Sequence, residues 1–198
     1  MGNNTEDMIK GSISQTIVEE LFKDLGFYVL RTGQENIANP LTQLEHFIKE
    51  CEGNFKLEKS EQREYLEIDY LKKMPDFCVI SKEGKVFFIE VKYREKGMIG
   101  EEKLKVFDFF PETYMIIVNL KVGDKLIFTK EDTEFKIDKN ANTESLKNSR
   151  FNVLSYEKDG KIEEIYSSTL SEWLKGIFNL EQKGIIEKYE KLVTEWLH

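Results

Sequence analysis

The sequence predicts an α/β protein whose helices pack on a mixed β-sheet. Three observations predict it: an amphipathic stripe near the N-terminus, two aromatic and β-branched runs joined by a tight turn, and an almost continuous apolar run farther on. A chain of 198 residues, 40% hydrophobic and 33% charged, fits one well-packed domain or a core with an appended helical piece.

The elements follow in order. Gly11 to Leu25 reads as a helix, because Ile13, Ile17, Val18, Leu21, Phe22 and Leu25 recur at spacings of three and four. Gly26 stops it, and Phe27 to Leu30 reads as a short strand. Asn39 to Lys73 reads as a helical insertion, with stripes at Leu41, Leu44, Phe47 and Ile48 and at Tyr65, Ile68 and Leu71. Asp76 to Ser81 and Lys85 to Arg94 form a hairpin around Lys82-Glu83-Gly84. Gly100 to Phe110 has helical spacing and Pro111 closes it. Tyr114 to Leu120 looks like a buried central strand, and Lys125 to Thr129 like a further strand. Glu131 to Arg150 is polar and reads as loop, with one candidate strand at Phe135 to Ile137. Thr169 followed by Glu172 is a capping-box signature opening a helix through Phe178, and a last helix carries Ile186, Tyr189, Leu192, Val193 and Trp196. The expected division is therefore a core over residues 1–130 with the insertion at about 39–73, followed by a polar loop and helical extension over 131–198 packed on that core.

Composition excludes several classes. No run of about 18 apolar residues exists, so no membrane span is expected. Met1 to Lys10 is polar and lacks a signal-peptide core, so the expected location is the cytoplasm. Cys51 and Cys78 are too few for a disulfide framework, and Cys78 reads as a small core residue. With His46 and His198 the only histidines, a Cys/His zinc site is not expected. The net charge of −8 opposes nucleic-acid binding, which draws on Lys and Arg, unless a local basic face or a partner protein supplies the charge.

Chemistry concentrates on the hairpin. Along Lys85 to Arg94 the residues Phe88, Glu90, Lys92 and Arg94 share one face. A three-residue loop with Gly84 in the left-handed position pairs Ser81 with Lys85 and puts Asp76 opposite Glu90, whereas a two-residue loop turns Asp76 away. Carboxylates roughly 5 Å apart at Cβ repel unless a cation lies between them. An all-oxygen set of few carboxylates suits Mg²⁺ or Mn²⁺. Lys92 is then placed to orient water or to stabilise charge growing on a phosphate. Alone, Glu90 and Lys92 read as a solvated sheet face and Pro75-Asp76 as a turn; their order between apolar strands carries the chemistry.

Pro75-Asp76, a hairpin, then Glu90-Val91-Lys92 resembles the PD-(D/E)XK motif of restriction endonucleases and archaeal-type Holliday junction resolvases. Gly11 to Phe27, with Val29 and Arg31, resembles the first helix and strand of the resolvase-like branch, so the likeness spans about Gly11 to Leu120. It implies a restriction endonuclease-like core and a metal held by Asp76, Glu90 and the Val91 carbonyl, with Lys92 catalytic. It also implies a DNA endonuclease, here expected as a homodimer joined through the C-terminal helices. The resemblance departs at the first helix, where relatives offer Glu and this chain has Gln15. At about 100° per residue, Gln15 borders the apolar stripe and Glu19 points farther out, with Glu19 and Glu20 as substitutes if the helix is rotated. Arg31, Tyr93, Arg94 and Lys96, and farther on Lys136, Lys139, Lys147 and Arg150, are candidate phosphate contacts or ordinary surface. The alternative in a different class is an inactive module of the same fold serving as an interaction subunit in a defence or repair complex.

Overall fold

The structure, a computed structural model, describes residues 4–32, 74–94, 98–100, 106–110, 112–119, 127–129, 149–159 and 162–197. The insertion expected at 39–73, the candidate strand at 135–137, Cys51, Lys96, Lys136, Lys139 and Lys147 lie outside those residues. The elements are α1 (Asn4–Asp24), β1 (Tyr28–Arg31), β2 (Phe77–Ile80), β3 (Val86–Arg94), β4 (Met98–Gly100), α2 (Val106–Phe109), β5 (Thr113–Asn119), β6 (Ile127–Thr129), β7 (Phe151–Asp159), β8 (Ile162–Thr169), α3 (Leu170–Phe178) and α4 (Lys183–Trp196). They form an α/β fold around a six-stranded mixed sheet of order β1-β2-β3-β5-β7-β8. Only the β3–β5 pair of that sheet is parallel, and α2 lies on its crossover.

The first helix starts at Asn4, seven residues before the expected start at Gly11, and its added turns leave Met8 and Ile9 exposed. It ends as Gly26 dictates. At φ +89° Gly26 enters the left-handed region, its N–H donates to the Lys23 carbonyl and that of Phe27 to the Phe22 carbonyl, which satisfies the last turn and throws the chain into β1. Ile17, Val18, Leu21 and Phe22 then lie buried against Phe77, Val79, Phe87, Ile89 and Val91. Phe87 is the hub of this face. Its ring meets Phe27, Trp173 and Phe178 at centroid separations of 5.9, 5.8 and 5.3 Å, joining β3 to α3 and to the end of α1. Asp24 ties α1 to α4 by accepting from Lys188 Nζ (2.7 Å) and Tyr189 Oη (2.9 Å).

Several elements differ from the sequence reading. Residues 151–169 add two strands to the central sheet, so the C-terminal third contributes sheet as well as helices, and the division at 130 separates strands of one sheet. Ile127–Thr129 leaves the central sheet and pairs in parallel with Met98–Gly100, a strand where a helix was expected to begin. The helix there runs only from Val106 to Phe109 among the described residues. Cys78 is half-buried and not a core residue. Trp196, assigned to the apolar stripe of the last helix, is 54% exposed. The central strand, the Thr169–Glu172 capping box and both C-terminal helices are present as read.

The β2–β3 hairpin has the expected three-residue loop. Ser81 N–H donates to the Lys85 carbonyl, Gly84 N–H to the Ser81 carbonyl, and Gly84 sits at φ +82°. A Cβ at Gly84 meets nothing within 4 Å, so only backbone conformation opposes substitution there. Gly84→Ala is expected to lose about 1–2 kcal/mol in urea denaturation. A variant as stable as wild type would contradict the left-handed turn.

Candidate functional site

The hairpin register aligns Phe77 with Ile89 and Cys78 with Phe88, so Asp76, one residue before β2, falls opposite Glu90. Alternation separates the two faces of the sheet. Phe77, Val79, Phe87, Ile89 and Val91 are buried under α1, while Cys78, Ile80, Phe88, Glu90, Lys92 and Arg94 lie on the other side at intermediate exposure. Three rows cross β1, β2 and β3 on that second face. Tyr28, Ile80 and Val86 form the first and Leu30, Cys78 and Phe88 the second; Asp76 and Glu90 lie in the third, beyond Leu30 and Cys78. The carboxylates therefore sit at the border of an apolar sheet surface.

The start of β2 explains how Asp76 is held. Continuing the register would set Pro75 opposite Val91. The Pro75 carbonyl instead accepts from Thr32 Oγ1 at 2.6 Å, and the Asp76 carbonyl accepts from Thr32 N–H at 2.9 Å. The Val91 N–H, deprived of that ladder acceptor, donates to Asp76 Oδ2 at 2.7 Å. In an extended strand a residue's N–H and C=O face the same neighbour, so the Val91 carbonyl opens into this gap too, and Pro75 has no N–H to give it. The other carboxylate oxygen, Asp76 Oδ1, accepts from Gln15 Nε2 at 2.8 Å. Glu90 Oε1 accepts from Lys92 Nζ, with the two side chains 13% and 21% exposed.

The sequence-selected residues thus come together. Asp76, Glu90, Val91, Lys92 and Gln15 occupy one end of the β2–β3 pair, where α1 crosses it. Glu19 and Glu20 do not join them. Glu19 pairs with Lys23 (2.7 Å) and Arg31 (2.5 Å), and Glu20 with Lys23 (2.8 Å). Arg31 leans over the Phe77 ring on the α1 face, away from Glu90 and Lys92. Tyr93 is buried on that same face, and Arg94 Nη1 donates to the Tyr93 carbonyl. Arg150 sits at intermediate exposure, its backbone N–H held by Glu190. Thr32 is the residue that sequence reasoning missed. Its role depends on the β1–β2 register, and no short turn in the sequence fixes that pairing.

The donor chemistry fits a hard divalent cation. Among the described residues no cluster of three or more His, Cys, Asp or Glu exists. A cation here would rest on the carboxylates of Asp76 and Glu90, the Val91 carbonyl and water, the mixed shell that Mg²⁺ accepts. Burial pushes the Cys78 thiol above its ordinary pKa.

Comparison with protein-family models, with curated proteins and with solved structures returns no match.

Glu19 yields a pH-dependent prediction. Partial burial raises its carboxyl pKa, but hydrogen bonds and charge from Lys23 and Arg31 outweigh this and leave it below the ordinary value. A depressed folded pKa gives stability that is present above the unfolded pKa and lost as pH falls through the folded one. Glu19→Gln is therefore expected to cost up to about 1 kcal/mol at pH 7. The gap from wild type should close on acidification. Chemical denaturation at pH 7 and pH 3 checks this, and a gap that widens at low pH would contradict the assignment.

Proposed function

We propose that this chain is a Mg²⁺- or Mn²⁺-dependent endonuclease that hydrolyses phosphodiester bonds in DNA, on a restriction endonuclease-like core of the PD-(D/E)XK kind. The observation that carries the reading is the Asp76–Glu90 alignment across one hairpin, with Lys92 at the next position on the same face and Val91 between them. Asp76, Glu90 and the Val91 carbonyl hold the cation. Once bound, it supplies Lewis acidity toward a phosphate oxygen and lowers the pKa of attached water. Lys92 places its ammonium beside the reacting phosphate and offsets the charge that grows there.

DNA binding must overcome a net charge of −8. The reading assigns the missing positive surface to a local basic face or to a partner protein. A second copy would bring a second site for the second strand, and α3 and α4, which expose Ile177 and Trp196, are the proposed contact. One observation favours the alternative of an inactive interaction module: Asp76 and Glu90 are already satisfied by Val91, Gln15 and Lys92.

The two readings separate experimentally. Duplex, single-stranded, branched and RNA substrates should be tested with Mg²⁺, with Mn²⁺ and with EDTA. The enzyme reading expects DNA cleavage that stops in chelator. Lys92→Ala should lower the rate by about 100-fold or more while the cation still raises the melting temperature. Asp76→Ala should lose both. Absence of cleavage together with absence of any divalent-dependent melting shift would remove the enzyme reading and leave the module.

A further inference from the structure

We infer that Gln15 is a positioning residue with two settings: its amide N–H holds Asp76 when the site lacks a cation, and its carbonyl oxygen turns toward the cation when one binds. The inference rests on the metal-dependent reading of the site. Gln15 reaches Asp76 across 61 positions of sequence because α1 crosses the end of the β2–β3 pair. Its backbone cannot drift. Ser14 beside it is fully buried with its hydroxyl on the Lys10 carbonyl, and Ile17, Val18, Leu21 and Phe22 fix the following turns in the core. Only the side-chain torsions of Gln15 are left to change.

The amide is suited to both settings. Asp76 has two carboxylate oxygens, one accepting from the Val91 N–H at 2.7 Å and one from Gln15 Nε2 at 2.8 Å. With no cation, the carboxylate needs donors, and an amide gives one without adding charge. When a cation arrives, Asp76 must turn lone pairs to it, and the released amide has an oxygen to offer the same ion after a half-turn about its last bond. A carboxylate at this position has no donor for the first setting. An ammonium has no acceptor for the second. Gln15 thus keeps the cation-free protein folded with Asp76 already aimed, and adds no third negative charge to compel a second ion.

The test uses the full-length chain and thermal melts in EDTA and across a Mn²⁺ titration, with wild type, Gln15→Glu, Asp76→Asn and the double variant. Gln15→Glu sets two carboxylates within hydrogen-bond reach, so in EDTA it should melt roughly 3 °C or more below wild type. Mn²⁺ should raise it by more than it raises wild type. Adding Asp76→Asn to Gln15→Glu exchanges donor and acceptor, keeps an acceptor for the Val91 N–H, and should restore the melt in EDTA to that of Asp76→Asn alone. In ¹⁵N-labelled wild type, the Gln15 side-chain amide resonance, assigned by its loss in Gln15→Glu, should move on adding Mg²⁺. If Gln15→Glu melts like wild type in EDTA, or the double variant is no better than Gln15→Glu, the inference is overturned while a divalent response of wild type leaves the enzyme reading standing. If the exchange rescues the melt but no protein responds to Mn²⁺, the metal-dependent reading fails and the second setting of Gln15 fails with it.

Discussion

The alignment of Asp76 with Glu90, and of Lys92 beside them, depends on the turn at Lys82-Glu83-Gly84. Its third residue lies at φ +82°, a conformation glycine enters without strain, and this sets Ser81 against Lys85. From that pair the register runs four steps to Phe77 and Ile89, and the next step brings Asp76 to Glu90. A loop one residue shorter would send Phe77, Val79 and the Asp76 carboxylate to opposite faces, exposing buried aromatic surface at the same time. The apolar core and the carboxylate pair are therefore fixed by one choice. The burial of Phe77, Phe87 and Ile89, each at most 2% exposed, makes the alternative register costly.

Around this hairpin the protein builds a packed core on one face and leaves Glu90 and Lys92 on the other. Phe87 packs into an aromatic cluster with Phe27, Trp173 and Phe178, and truncating such a ring in a core costs about 3–5 kcal/mol. The same packing holds α1 against β3, and α1 in turn delivers Gln15 to Asp76. Thr32 closes the other side by holding the backbone of Pro75 and Asp76. The carboxylate is thus located by a helix, by the end of a strand and by the next strand's backbone.

How much of this is readable in the sequence follows from the range of each signal. The hairpin, its register and the face of Asp76, Glu90 and Lys92 follow from local rules, because one glycine and strict alternation determine them. Gln15 is reachable by helical phase, since it borders a stripe of core residues. The strands of residues 151–169 carry a weaker signal. Phe151, Val153 and Leu154 are apolar and buried, but charged residues crowd both strands toward the Asp159–Ile162 pair, and alternation fades there. Met98–Gly100 and Ile127–Thr129 are three residues each, too short for any period, and they pair over a long separation. Thr32 acts through a β1–β2 pairing that no local turn specifies. Signals carried by single turns and faces are therefore present in the sequence, whereas pairings between distant short strands are not.

The account turns on whether Asp76 and Glu90 share a cation, and anomalous diffraction from Mn²⁺-soaked crystals tests that most directly. The prediction is one strong peak at about 2.0–2.2 Å from an Asp76 carboxylate oxygen, a Glu90 carboxylate oxygen and the Val91 carbonyl. Well-occupied crystals with no peak between these strands, and Asp76 still held by Gln15 and the Val91 N–H, would contradict it.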